Sequence, residues 1–255
     1  MKSDKEWLLW GKSDPLCAVS SWKGREKDGP NPWSSKEFYE LGRTDWADFS
    51  KRWSAYGFNR DHCLEIGCGA GRITAQLASN FEKVTATDVS ADQIQLAQRS
   101  TQPKKINFLL NDGTRLHLPD ASVSAVFSCH VFQHFDSLDD ALLVFRELHR
   151  VLVPGGSLCI HLPLFNLPSS LIAPFLRFMV HAWKSVGNLR AAIQRMRNVL
   201  LMRGLPYEFS PLREKLLSIG YVDIETHGFC MSSNQGWHDV LFARKSIPSS
   251  PLSST

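Results

Sequence analysis

The stretch that decides the reading is Leu64-Glu65-Ile66-Gly67-Cys68-Gly69-Ala70-Gly71-Arg72, an apolar run that meets three alternating glycines and then enters a helix at Ile73. Glycine tolerates positive φ and lets a ligand reach the main chain with no Cβ in the way. The helix that follows presents unpaired N–H groups to that ligand. Glu65 lies inside the strand just before the turn, where a buried carboxylate is costly unless it meets a donor or a positive charge.

Working outward, the next apolar run, Lys83 to Val89, ends in Asp88. It stands roughly twenty residues beyond the loop, where a carboxylate can accept both hydroxyls of a ribose. Loop and carboxylate together describe a nucleoside-binding crevice. A dinucleotide fingerprint, G-x-G-x-x-G, would need glycine where Arg72 stands, so the spacing disfavours NAD. A ligand with a cationic sulfonium and no pyrophosphate suits a loop with Glu65 nearby.

From residue 60 to about 162 the chain alternates short apolar or β-branched runs with amphipathic stretches, the pattern of repeated βα units and a mainly parallel sheet. Strands are placed at about 62 to 67, 83 to 89, 106 to 112, 122 to 129 and 157 to 162. Between the last two, Leu138, Ala141, Leu142, Phe145, Leu148 and Leu152 recur at helical spacing. Ser137 supplies a cap, and Pro154, Gly155 and Gly156 a stop. A helix near 211 to 219, ended by Gly220, precedes an antiparallel strand pair, Tyr221 to His227 and Trp237 to Lys245.

With these motifs in place the chain resembles the class I S-adenosylmethionine-dependent methyltransferases over roughly residues 60 to 162. Glu65 to Gly71 looks like their first motif and Asp88 like the acidic end of their second strand. Asn111-Asp112-Gly113 looks like the segment in which an Asp meets the adenine amino group. Leu148 to Gly156 resembles the helix and Pro-Gly-Gly turn before the fifth strand. Ser124 departs from the pattern where many relatives carry Asp. The resemblance implies a Rossmann-like three-layer αβα sandwich, an α/β fold whose mostly parallel seven-stranded sheet has an antiparallel last strand. It also implies S-adenosyl-L-methionine as cofactor, held by Glu65, Gly67, Cys68, Gly69, Gly71, Asp88, Val89, Asn111, Asp112, Gly113 and Cys129.

Ligands of open α/β sheets lie beyond the carboxyl ends of the strands, which places Ser128, Cys129 and His130 at the mouth of the fourth strand. His130 and then His134 are the candidates for removing a proton from a methyl acceptor. Each is weighed against a purely structural role, and Cys129 is read as wall rather than nucleophile. Tyr39 and Arg43 are placed within possible reach of the cofactor carboxylate.

The remaining segments define the organisation. Residues 1 to 57 form a helical, Trp-rich segment holding six of the eight tryptophans, Trp7, Trp10, Trp22, Trp33, Trp46 and Trp53. These rings either pack on the core or form a lid. Residues 58 to 245 form the methyltransferase domain with a helical insertion at about 164 to 204, and 246 to 255 a Ser/Pro-rich disordered tail. The insertion's Leu171, Ile172, Phe175, Leu176, Phe178 and Met179 read as a core-packing face or an apolar acceptor pocket.

Composition excludes more than it assigns. A formal charge of +4 with a single basic cluster, Lys184, Arg190, Arg195, Arg197 and Arg203, is not the concentrated stripe of a nucleic-acid binder. Nor does Ser128-Cys129-His130-Val131 resemble the motif of base-amino methyltransferases. The partner expected is therefore a small-molecule substrate, with a protein or lipid acceptor, or a non-catalytic scaffold, as the alternatives. The six cysteines show no disulfide or zinc spacing, which predicts no metal site and a reducing, cytoplasmic setting. The apolar region Leu162 to Trp183 is broken by prolines and Arg177, which argues against a membrane span. Oligomeric state is left open.

Overall fold

A computed structural model of the chain describes residues 2 to 101, 105 to 166 and 204 to 248. Three helices precede the first strand: α1 (Lys2–Ser13), α2 (Pro15–Val19) and α3 (Ser35–Tyr56). The last opens on a full capping box, in which the Ser34 hydroxyl accepts the Glu37 N–H and the Glu37 carboxylate accepts that of Ser34. The body then runs β1 (His62–Ile66), α4 (Thr74–Asn80), β2 (Lys83–Asp88), α5 (Ala91–Ser100), β3 (Ile106–Leu110) and β4 (Val123–Ser128). It continues as α6 (Leu138–Val151), β5 (Leu152–His161), β6 (Leu164–Phe165), β7 (Tyr207–Glu208), α7 (Phe209–Ile219), β8 (Tyr221–Cys230) and β9 (Trp237–Lys245).

Seven strands form one sheet in the order β3-β2-β1-β4-β5-β9-β8. The first five are parallel neighbours, and β9 is antiparallel to both β5 and β8. This is the mostly parallel seven-stranded architecture expected. Alternation along β1 shows how the layers arise. Leu64 and Ile66 join a core with Phe145 and Leu148 of α6 and Leu212 and Leu216 of α7. Cys63 joins one with Trp46, Phe49 and Trp53 of α3 and Leu77 of α4 on the opposite face.

Two boundaries differ from the sequence reading. The fifth strand begins at Leu152 rather than near 157, so Pro154, Gly155 and Gly156 lie within it instead of merely stopping the helix. The pairing with β4 shifts register between Val123 and Ala125, and this irregularity absorbs the extra residues. The strand pair at the edge is longer, reaching Cys230, while Gly220 ends α7 in the left-handed conformation as anticipated.

Most of the expected insertion, including its apolar positions and the whole basic cluster, lies outside the described residues. So does the tail from 249. The insertion's two roots are described. Leu164 and Phe165 pair in parallel with Tyr207 and Glu208, and the Leu205 N–H donates to the Gln133 carbonyl at 2.6 Å. Among the described residues no helix is long and apolar enough to cross a membrane.

Candidate active site

At the carboxyl ends of β1, β2 and β4 the structure holds a cavity of about 310 Å³. The glycine turn after β1 forms its floor. Gly67, Gly69 and Gly71 all have positive φ, at 73°, 51° and 82°. At Gly67 an added Cβ would stand 2.1 Å from a Val131 methyl, and at Gly69 2.5 Å from a Val19 methyl. Both therefore serve close approach as well as chain direction. At Gly71 it would meet Ala97 and Thr101 of the α5 region, so this third glycine serves packing.

Asp88, at the tip of β2, is tied to that turn. One carboxylate oxygen accepts the Gly69 N–H at 2.8 Å and the other the Ser90 N–H at 2.9 Å. Burial pushes its pKa up, and these main-chain donors oppose the shift. The carboxylate keeps a face on the cavity, beside Ile66, Thr87, Val89, Asn111 and Gly113.

Glu65 is buried beneath the turn and accepts the Thr74 hydroxyl at 2.6 Å. It supports the start of α4 and is not part of the cavity wall. Burial raises its pKa to about 7 against the pull of that hydrogen bond. Cys68 is likewise buried, its thiol directed at the Gly69 carbonyl.

Asp112 sits beside the cavity rather than in its wall. Its Oδ1 accepts the N–H groups of Thr114 and Arg115, which fixes the turn after β3 and lowers its pKa. Asn111, one residue earlier, borders the cavity, and its side-chain oxygen is buried without a hydrogen-bond partner. The loop carrying both is clamped from α6, because Arg150 donates to the carbonyls of Leu116 and Leu118 and pairs with Asp120 and Glu147.

His130 and His134 both line the cavity. His130 adopts φ 60°, in the left-handed region that costs a non-glycine residue about 1–2 kcal/mol. Its ring packs on His161 at 4.3 Å between centroids, and burial, with His161 next, lowers its pKa. His134 meets the Gln133 amide through Nε2 and the edge of Trp7 at 4.9 Å.

Several wall residues escaped the sequence reading. Arg72, the residue that broke the dinucleotide fingerprint, is buried and paired with Asp45 of α3. Both border the cavity, and each keeps one buried polar atom unpartnered, Arg72 Nε and Asp45 Oδ1. Gly42 makes room for this arginine, since a Cβ there would lie 2.3 Å from its side chain. No local pattern marks such a pair, although Gly42 and Asp45 are one helical turn apart.

Of the N-terminal residues, Trp7, Val19, Ser20 and Trp22 contribute to the wall, whereas Trp46 and Trp53 are buried in the core. Trp7 and Trp22 thus border the cavity, while Trp46 and Trp53 belong to the core. Tyr39 reaches the glycine turn, donating to the Ala70 carbonyl at 2.7 Å. Arg43, contrary to expectation, is exposed and paired with Glu40. It is not among the residues that line the cavity.

A sheet in this order, with a glycine turn after β1 and an acid at the tip of β2, defines the Rossmann-like methyltransferase architecture. Residues 64–160 match the model of the methyltransferase domain family, the same stretch that carries the resemblance to the class I S-adenosylmethionine-dependent methyltransferases. Malonyl-[acyl-carrier protein] O-methyltransferase of Priestia megaterium is 33% identical over 97 residues, 37% of this chain and 34% of that one. The ubiquinone/menaquinone biosynthesis C-methyltransferase of Rubrivivax gelatinosus is 30% identical over 115 residues, 45% and 43% of the two chains. The chain thus matches less than half the length of these curated relatives. In fold it is similar to magnesium protoporphyrin IX methyltransferase from Synechocystis, solved with bound S-adenosylhomocysteine. That comparison has a TM-score of 0.62 and 18% identity, and covers 96% of this chain and 100% of that one.

Proposed function

We propose that the chain transfers a methyl group from S-adenosylmethionine to a small-molecule acceptor. The observation that carries this reading is the Asp88 carboxylate, anchored to the Gly69 main chain and facing the cavity. A ribose needs such an acceptor for its two hydroxyls, and the positive-φ glycines leave the main chain bare beside it. The unpartnered Asn111 oxygen suits the adenine amino group, a role the sequence reading gave to Asp112. Arg72 and Asp45, which border the cavity and each keep a buried polar atom unpartnered, match the carboxylate and ammonium of the cofactor's amino-acid end. This is a fit of charge and hydrogen-bonding type to a zwitterion joined to a nucleoside.

Bound there, the cofactor supplies a methyl carbon activated by positive sulfur, and the residues of this chain supply alignment and exclusion of water. Alignment alone can account for much of the rate in an in-line displacement. Val131, Leu116, Val144 and Phe135 give the acceptor side of the cavity an apolar wall. His130 and His134 are the polar groups there that could orient an acceptor hydroxyl or amine, or take its proton. Trp7 and Val19, standing over the glycine turn and His134, make α1 and α2 a cover for the site. The curated relatives support a small acceptor group, because their names specify a malonyl group on an acyl-carrier protein and quinone biosynthesis.

The test has two arms. Calorimetry with S-adenosylhomocysteine should show one site on the purified chain. Incubation with S-adenosylmethionine and metabolite extracts should release S-adenosylhomocysteine only when an acceptor is present. Absence of binding sinks the cofactor assignment. Binding with no turnover across a broad extract panel sinks the enzyme reading and leaves a binding module.

A further inference from the structure

The cysteine spacings predict no metal site, yet folding assembles donors that lie far apart in sequence. Cys129 and His130 follow the end of β4, and His161 ends the neighbouring strand β5, whose Ile160 is in register with Ser128. One potential ligand atom from each of Cys129, His130 and His161 lies within 4.8 Å of the others. We propose that these three residues bind a single divalent cation of the zinc type, independently of methyl transfer.

The donor set selects the ion. It comprises one thiol and two imidazoles with no carboxylate, which suits Zn²⁺ and its borderline neighbours and not Mg²⁺ or Ca²⁺.

Supporting bonds around His161 are already in place. Its Nε2 lies 2.9 Å from His238 Nδ1, and His238 Nε2 lies 3.3 Å from the Asn234 side-chain oxygen. Because the His130 main-chain N–H donates to His161 Nδ1, the lone pair of His161 sits on Nδ1 and its N–H on Nε2 is directed at His238. A metal-binding histidine uses the same arrangement, donating its other N–H to a neighbour that sets the ring orientation. At present that lone pair receives only the His130 main-chain N–H, at 3.2 Å. The left-handed turn at His130, φ 60°, brings its own ring onto His161. No hydrogen bond to the His130 ring nitrogens is formed among the described residues.

Bond lengths of about 2.0–2.3 Å place tetrahedral donor atoms about 3.3–3.7 Å apart, so the three must close by about an ångström. Cys129 and His130 stand on the turn beyond the strand, where such a movement leaves the sheet pairing intact. On binding, the Cys129 thiol loses its proton to solvent, and thiolate and two neutral imidazoles hold the ion with one position left toward the cavity that Cys129 and His130 line.

The experiment uses the full chain stripped with chelator and titrated with Co²⁺, with no acceptor or cofactor present, so its failure leaves the methyl-transfer reading standing. One equivalent should give intense tetrahedral bands in the visible and a thiolate-to-cobalt band in the near ultraviolet, all displaced by Zn²⁺. Cys129→Ala should abolish the near-ultraviolet band, while Cys230→Ala, at an exposed cysteine, should keep it. Should Cys129→Ala fail to fold, Zn²⁺ protection of Cys129 from alkylation in the unmodified chain gives the same answer by mass spectrometry. Weak octahedral bands only, a spectrum unchanged in Cys129→Ala, or alkylation indifferent to Zn²⁺ overturns the proposal.

Discussion

The carboxylate of Asp88 accepts the main-chain N–H of Gly69 at 2.8 Å, so the tip of the second strand and the turn after the first are held as one unit. Asp88→Ala should therefore damage cofactor binding twice, by removing a ribose acceptor and by freeing the turn. Lost hydrogen bonds to a charged group are worth about 1.5–3 kcal/mol, or roughly 10- to 100-fold in affinity for S-adenosylhomocysteine. Calorimetry on the variant checks this, and unchanged affinity would place the nucleoside elsewhere.

Gly69 faces Val19 so closely that a Cβ would fall 2.5 Å from a valine methyl. Gly69→Ala should lower Tm and weaken cofactor binding, from this clash and from the strain of φ 51°. Adding Val19→Ala should restore part of the loss. If the double variant is no better than the single, the N-terminal cover does not rest on the turn in solution.

Glu65 gives a pH signature. Its pKa rises from 4.5 to about 7 on burial, so folding favours the protonated form. The sign follows: below pH 4.5 both states are protonated and the native state carries no penalty. As pH climbs to about 7 the unfolded chain ionises first and stability falls, by roughly 3 kcal/mol at most. Asp88, also raised, adds in the same direction. Urea melts of the ligand-free chain from pH 5 to 8 should show this decline, and Glu65→Gln should flatten much of it. A stability that rises across that range would contradict the assignment.

Arg72 and Asp45 are buried together, and removing one partner of such a pair typically costs about 3–5 kcal/mol because the other charge is stranded. Arg72→Met alone should therefore be far more destabilising than Arg72→Met combined with Asp45→Leu. The double variant, folded again, should still fail to bind cofactor if the pair meets its amino-acid end. A double variant that binds normally would confine the pair to a structural role.

Much of this site could be read in the chain because it is local. Gly67, Gly69 and Asp88 act through main-chain conformation and strand position, and sequence records both directly. Of the Asn111-Asp112-Gly113 segment, Asn111 and Gly113 border the cavity and Asp112 stands beside it, because in adjacent residues φ and ψ decide which one faces the cavity and a motif does not record them. Arg72 with Asp45, and His161 with His130, were not legible. Such partners are chosen by sheet order and helix packing, which bring together residues 27 and 31 positions apart with no periodic signal. Pro154 and Gly155 were read as punctuation because a strand that tolerates them needs the register shift against β4, a property of the neighbour.

The short parallel pairing of Leu164–Phe165 with Tyr207–Glu208 has a consequence for what the scaffold can carry. It staples the entry and exit of residues 167 to 203 side by side, next to the Val131–His134 wall, so the entropy of bringing those ends together is met by the scaffold whatever lies between them. A transplanted segment of different length or chemistry would inherit the same two attachment points without disturbing the sheet or the glycine turn. Chimeras exchanged at this staple should accordingly keep the fold and its Tm, which circular dichroism can check.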